Sequence, residues 1–207
     1  MSGRDRNRPM ALKRVVIYLS FVALIILAFE LVPSGWLERF TAESSSIMLR
    51  FFGFTASWRV RDGRAYLNLV GGVRNVNTMI IRECTAIHVF AFFTGLILPL
   101  EGGLWFKKLV SLALAGSMLL ALNLFRILMT MLLTAYDVPP FTWMFTNPTV
   151  ETYHYPLSFI FGVFGVALLV ILIDRLMLPE LGETLRDVGE NVWISLKNGP
   201  KRIRACI

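Results

Sequence analysis

The longest apolar run of this sequence, residues 109–135, contains only one charged residue, Arg126. About 20 apolar residues are enough to cross the hydrocarbon core of a bilayer as a helix. Lipid offers the backbone no hydrogen-bond partners, so a single apolar segment must form a helix there. Three further apolar runs lie at about 15–32, 84–100 and 155–174. The sequence therefore predicts an all-α integral membrane protein with about four transmembrane helices.

The composition agrees with that prediction. Of the 207 residues, 56% are hydrophobic, and the formal net charge is +7. The basic residues cluster at the chain ends and beside the apolar runs, which favours anionic lipid head groups over nucleic acid as the partner. The only two cysteines are Cys84 and Cys206, too few for a disulfide framework, so we expect Cys84 to be a free thiol.

Residues 33–82 separate the first two runs and predict a small insertion outside the membrane. Apolar residues at helical spacing, from Trp36 to Phe51, indicate an amphipathic segment at the interface. The dipeptide Asp62-Gly63 between two alternating segments predicts a tight-turn β-hairpin over about 57–69. Residues 73–77 suggest a third strand. An irregular loop accounts for this region equally well.

The two ends of the chain set the predicted orientation. Residues 1–14 carry five basic residues, and residues 179–207 predict an interfacial amphipathic helix with a basic end. With both termini in the cytoplasm, 13 Lys and Arg lie inside and 7 lie outside, all of them in the insertion. We expect a multi-pass plasma-membrane protein with a membrane catalytic domain over 1–178 and a cytoplasmic tail over 179–207. A cleaved signal peptide is the alternative for the first run, although no small-residue cleavage site follows it.

Three residues that can do chemistry lie toward the outer ends of the predicted spans. Cys84 opens the second span and His154 opens the fourth, while Arg126 lies about 15 Å below the outer end of the third. A long arginine side chain can reach from there toward the interface. Since a nearby arginine and histidine favour the thiolate, this convergence predicts a cysteine nucleophile near the outer face.

Each of these residues also has a structural interpretation. Cys84 can be a small buried side chain, and Arg126 can lock helices together by pairing with Glu83 or Glu151. His88, one turn after Cys84, is a rival base or a hydrogen-bond donor within the bundle. The thiol and both histidines could instead hold zinc, but a fourth ligand is missing.

Three segments together resemble a known family. They are Glu83-Cys84-Thr85, then Asn123-Leu124-Phe125-Arg126 within a later span, then His154 at the start of the last span. In this order they resemble the exosortase/archaeosortase family of membrane transpeptidases, over about residues 55–175. Members of that family usually have glycine where this chain has Ala86.

The resemblance implies a membrane-embedded cysteine transpeptidase or protease that cleaves C-terminal sorting signals of precursor surface proteins. Such tripartite signals consist of a short motif, a transmembrane helix and a basic cluster, and the acyl group passes to an acceptor such as a membrane lipid. The resemblance implies Cys84 as nucleophile, His154 as general base and acid, and Arg126 as the stabiliser of the thiolate or the oxyanion. We expect no cofactor and no metal. Substrate-binding or supporting roles are expected for Glu83, Thr85, His88, Asn123 and Ser158.

Two other classes of protein stay open. A non-catalytic scaffold, or a transporter subunit that binds an anionic group through Arg126, predicts that Cys84→Ser is tolerated. A zinc-dependent intramembrane hydrolase predicts a bound metal.

Overall fold

The structure, a computed structural model, describes residues 12–100, 104–139, 143 and 149–198. Within these residues the fold is mostly helical and includes one three-stranded antiparallel sheet. The helices are α1 (Leu12–Glu30), α2 (Gly35–Phe51), α3 (Ile87–Ile97), α4 (Trp105–Ala135), α5 (Val150–Leu176) and α6 (Glu180–Asn198). The strands are β1 (Thr55–Arg61), β2 (Arg64–Val70) and β3 (Val76–Ile80), and a 3-10 turn covers Arg82–Thr85.

Two helices, α4 and α5, are long and apolar enough to cross a membrane, with 31 and 27 residues. Helices α1 and α2 meet at a bend of 79° and give a third candidate if the pair forms one span. Helix α3 has 11 residues, about 16 Å at 1.5 Å per residue, roughly half of a ~30 Å hydrocarbon core. The described part of the chain therefore has two or three candidate spans, fewer than the four predicted. The run 84–100 is not one continuous helix, because it begins in a turn.

The insertion folds as a sheet rather than as an irregular loop. Strand β2 lies in the centre and pairs antiparallel with β1 and β3. Asp62 and Gly63 have φ of 52° and 77°, the left-handed values that a tight hairpin turn requires, so the predicted hairpin is confirmed. The third strand begins three residues later than predicted, because residues 71–74 turn against α4. There the Arg74 amide donates to the Ala135 carbonyl at 3.2 Å, and a Cβ at Gly72 would lie 2.6 Å from the same oxygen.

Helix α2 packs against the sheet and turns its large apolar side chains outward. Its buried positions are mostly small, namely Thr41, Ala42, Ser45, Ser46 and Leu49. Its exposed positions include four large apolar side chains, Trp36, Phe40, Ile47 and Phe51. An apolar outer side beside membrane-spanning helices suits contact with lipid. This arrangement agrees with the predicted amphipathic segment.

Two apolar cores meet at the 3-10 turn. One core joins α1, α3, α4, α5 and α6, and Ala86 packs against it. The other joins α2, the sheet and the C-terminal half of α4, and Cys84 packs against it. The turn is therefore held between the helical bundle and the sheet.

Helix α6 forms where an amphipathic helix was predicted. Leu181 is fully buried, and Leu185 and Val188 pack against the helical core. The Gly182 amide donates to Asp174 Oδ1 at 2.8 Å. The apolar side of α6 thus rests on the end of the bundle, rather than on a membrane interface alone. The predicted basic end at 201–204 lies outside the described residues, as do residues 1–11.

Candidate active site

The thiol of Cys84 lies on the 3-10 turn and not on helix α3. Ala86 ends that turn with φ 58° and ψ 12°, a left-handed backbone conformation, and α3 begins at the next residue. The prediction that Cys84 opens a span on one helical face with His88 is therefore wrong, because the left-handed residue redirects the chain between them. This conformation costs roughly 1–2 kcal/mol for a residue with a Cβ and little for glycine. The cost gives a physical reason for the glycine that the family usually has at this position.

Hydrogen bonds from three side chains hold the turn in place. Asn123 of α4 is buried and donates from Nδ2 to the Cys84 carbonyl at 2.6 Å. Thr85 Oγ1 donates to the Arg82 carbonyl at 2.6 Å. Arg82 in turn donates to carbonyls at the C-terminal end of α1. The backbone around the thiol is thus tied both to α4 and to α1.

Arg126, Ser158 and His154 form a hydrogen-bonded chain between α4 and α5. Arg126 Nη1 donates to Ser158 Oγ at 3.2 Å, and Ser158 Oγ lies 3.3 Å from His154 Nε2. His154 and Ser158 are one helical turn apart and so share a face of α5. Arg126 Nε and Nη2 are buried and make no hydrogen bond with the residues that the structure describes. A buried donor without an acceptor costs free energy, so these two groups favour the binding of a ligand that brings an acceptor oxygen.

Cys84 and His154 line the same cavity, which has a volume of about 700 Å³. This volume lies within the roughly 300–1,000 Å³ typical of ligand sites. Arg126 lines a neighbouring pocket of about 120 Å³, together with Asn123 and Ser158. The structure therefore brings the thiol and the histidine to one cavity and links the arginine to that histidine through a serine.

Burial raises the pKa of the Cys84 thiol above its ordinary value. A backbone hydrogen bond at Ile81 and the positive charge of Arg126 lower this pKa, whereas the carboxylates of Glu83 and Glu38 raise it further. Burial is the largest of these effects. The expected preference for the thiolate is therefore not met in the resting site. A raised pKa favours the protonated thiol over the thiolate at rest.

Of two predicted supporting residues, His88 lies outside the lining of the cavity and Glu83 lies within it. His88 Nδ1 lies 2.8 Å from Glu30 Oε1 of α1, and His88 is not among the residues that line the cavity. Glu83 is exposed and lines the cavity, but among the described residues it makes no ion pair with Arg126 or His154. The zinc alternative needs both histidines beside the thiol. In the described ranges, no three potential ligands form a group that could hold a metal ion.

The cavity walls contain residues that the sequence did not single out. From the β3 side they are Asn77, Thr78, Met79 and Ile81, and from the α5 side Thr149 and Val150. Glu151, which the sequence offered only as an ion-pair partner of Arg126, also lines the α5 side. The alternation of apolar and polar residues at 73–77 predicted a strand nearby. Its position beside the thiol depends on the turn at 71–74, which carries no periodic signal. Arg82 was also missed, although a basic residue next to an apolar run and two places before the thiol was a usable signal.

The fold and the site define a membrane protein with two or three candidate spans, in which a thiol and a histidine share one cavity beside a small sheet. The model of the transmembrane exosortase family (Exosortase_EpsH) matches residues 3–173, most of the chain. The chain therefore belongs to the transmembrane exosortase family, and the resemblance inferred from its three motifs is confirmed. Membership suggests a cysteine transpeptidase-like enzyme. No curated protein and no solved structure matches the chain significantly.

Replacing Ala86 by glycine is expected to stabilise the fold, because glycine adopts a φ of 58° without the Cβ clash. We expect a gain of about 0.5–1 kcal/mol in the free energy of unfolding, seen as a higher Tm in detergent. Ala91→Gly is the matched control, since Ala91 is fully buried within α3, and glycine there should lower the Tm. An unchanged or lower Tm for Ala86→Gly would contradict the left-handed conformation of Ala86.

The alkylation rate of Cys84 should depend on pH with a pKa above that of an ordinary thiol, because burial raises it. Iodoacetamide labelling in a Cys206→Ser background measures this thiol alone. Arg126→Gln removes a charge that lowers the pKa, so the profile should move to higher pH and labelling at neutral pH should slow. Arg175→Gln, in the last turn of α5, is the charge-matched control and should leave the profile in place. A profile that stays or moves to lower pH in Arg126→Gln contradicts the assigned contact.

Proposed function

We propose that this protein is a membrane cysteine transpeptidase that cleaves C-terminal sorting signals of precursor surface proteins and passes the acyl group to an acceptor such as a membrane lipid. The observation that carries the proposal is the shared cavity of Cys84 and His154, with Ser158 linking His154 to Arg126. Membership of the exosortase family supports this class of reaction and of substrate.

His154 begins the reaction as the base that takes the thiol proton of Cys84. Ser158 Oγ has two lone pairs, and we assign them to Arg126 Nη1–H and His154 Nε2–H. This assignment leaves His154 Nδ1 unprotonated and able to accept a proton. Such a base is needed because burial raises the pKa of the thiol and so favours its protonated form.

The Cys84 thiolate then attacks the carbonyl carbon of the scissile amide. The carbonyl oxygen becomes an oxyanion, for which the buried Nε and Nη2 groups of Arg126 offer charged donors. As the C–N bond breaks, His154 gives its proton to the leaving amine, and a thioester remains on Cys84. An amine or hydroxyl of the acceptor attacks the thioester, passes its proton to His154 and releases the free thiol.

The proposed orientation has both termini in the cytoplasm and the cavity toward the outer face. Lys107 and Lys108 then begin α4 on the inner side, and the sheet packs on its outer end. Arg126 lies nine residues, or about 14 Å, below Ala135. Four crossings within a catalytic domain over 1–178 would then require α1 and the 11-residue α3, which covers roughly half of the hydrocarbon core, to cross as well. The tail 179–207 stays in the cytoplasm.

Co-expression with precursors from the same genome that end in a helix and a basic cluster tests the proposal. The wild-type protein should shorten a precursor, and Cys84→Ser should lose nearly all of this processing, because a serine hydroxyl is a much weaker nucleophile at this site. Cys206→Ser is the matched control and should process like wild type. His154→Ala should slow processing by roughly 10²–10⁴-fold, and Arg126→Gln by roughly 10²–10³-fold, in immunoblot time courses.

Equal processing by wild type and Cys84→Ser would contradict the assigned nucleophile. If the protein is instead a transporter subunit or a scaffold, its function should depend on Arg126 and should tolerate Cys84→Ser. If it is instead a zinc-dependent hydrolase, chelators should inhibit the processing of the precursor.

A further inference from the structure

Strand β3 is an edge strand with one side unpaired. The sheet order is β1-β2-β3, so β3 pairs with β2 only. Among the described residues, no backbone group of 76–80 forms a hydrogen bond with a segment other than β2. In antiparallel pairing, alternate residues point their N–H and C=O groups to the other side of the strand. Within the part of the chain that the structure describes, the outer side of β3 therefore presents a row of unpaired donors and acceptors.

This unpaired edge belongs to the cavity of Cys84. Asn77, Thr78 and Met79 line the cavity from β3, and Ile81 continues the same wall to the thiol. Only three residues separate Ile80, the last residue of β3, from Cys84. A free strand edge and the reactive sulfur thus face the same space.

We propose that the extended segment of the substrate, on the N-terminal side of the scissile bond, binds as a fourth strand along the outer edge of β3. This inference rests on the proposed function and specifies how the substrate is held. The leaving part of the precursor is a helix, whose backbone hydrogen bonds are satisfied internally. The acyl part has no such partners, and the edge of β3 supplies them.

The chemistry of the cavity walls suits a peptide better than a lipid chain. Polar side chains from both walls line it, namely Asn77, Thr78, Glu83, Thr149 and Glu151. A neighbouring pocket of about 390 Å³ between α1, α2, α3 and α4 is lined almost entirely by apolar side chains, among them Phe29, Trp36, Phe40 and Phe90. An acyl chain belongs in that apolar pocket rather than beside β3.

Strand addition would fix the scissile bond by main-chain contacts. A peptide paired with an edge strand advances about 3.3 Å per residue in a set register. The register sets which carbonyl lies at Cys84, while alternate side chains of the peptide face the walls and are selected there. The recognised motif should therefore show a period of two residues in its side-chain requirements.

Hydrogen–deuterium exchange on Cys84→Ala tests the pairing, because this variant can bind a precursor without cleaving it. Each precursor of the co-expression set is added in turn. With a bound precursor, the outward amides of 76–80 should exchange roughly tenfold more slowly, since each gains a hydrogen bond. Strand β1, the opposite edge of the sheet, is the internal control and should exchange at an unchanged rate.

The outcomes separate this proposal from the proposed function. Protection of β3 together with processing by wild type supports both. Processing by wild type without protection of β3 overturns strand addition and leaves the transpeptidase standing. Protection of β3 by a precursor that wild type does not process supports strand addition and counts against the transpeptidase. Protection by none of the precursors overturns strand addition.

Proline and alanine variants of β3 give a second, independent test. Adjacent strand amides point to opposite sides, so either Asn77 or Thr78 has its amide on the free edge. Proline at the outward position should keep the β2 amides protected and slow processing at least about tenfold. Asn77→Ala and Thr78→Ala remove the same side chains and keep the amides, so each sets the baseline for its proline partner, and the tenfold loss is counted from that baseline. If the outward proline variant processes like its alanine partner, the edge of β3 does not hold the substrate.

Discussion

The hydrogen bond from Asn123 to the Cys84 carbonyl joins the turn that carries the thiol to helix α4. A buried carbonyl without a partner costs roughly 1–3 kcal/mol, so this contact fixes where the turn sits. Arg126 is three residues further along the same helix and therefore lies on nearly the same face. One helix thus positions the backbone of the thiol and presents the positive charge beside it. The register of α4 relative to the turn determines the geometry of the whole site.

The charge of Arg126 and the burial of Cys84 act in opposite directions on the pKa of the thiol. Arg126 lowers the pKa of Cys84, but burial raises it by more. A raised pKa favours the protonated thiol at rest, so the proposed mechanism assigns the removal of its proton to His154. The two buried donors of Arg126 without acceptors point to the same conclusion. The site is suited to stabilise negative charge that develops during a reaction, rather than charge present at rest.

Apolar length and turn chemistry made part of the fold predictable. The runs at 109–135 and 155–174 correspond to α4 and α5, and Asp62-Gly63 marked the hairpin turn. The break at Ala86 carried no such signal, because Ala86 lies within a continuous apolar run and its left-handed backbone arises from tertiary packing. The later start of β3, at Val76 rather than at residue 73, likewise depends on a contact between residues 71–74 and α4. The contact of His88 with Glu30 agrees with the interpretation of a hydrogen bond within the bundle. The rival-base interpretation assumed helical spacing from Cys84 across that break.

Several site residues were nevertheless identifiable from position alone. A lone arginine in a long apolar run and a histidine at the start of another are costly in lipid, so each signals an interior location. Ser158, one turn beyond His154, connects the two in the structure. What spacing does not give is the direction from which a substrate approaches. The proposed strand addition takes that direction from the edge of β3, whose position depends on how the sheet packs.

The central claim is that Cys84 carries the acyl group during turnover. Intact-mass spectrometry of the protein, purified after co-expression with a precursor that it shortens, tests this claim most directly. The account predicts an adduct with the mass of the acyl fragment, mapped to Cys84, released by hydroxylamine and absent from Cys84→Ser. Processing without any thioester, or the same adduct on Cys84→Ser, would contradict it.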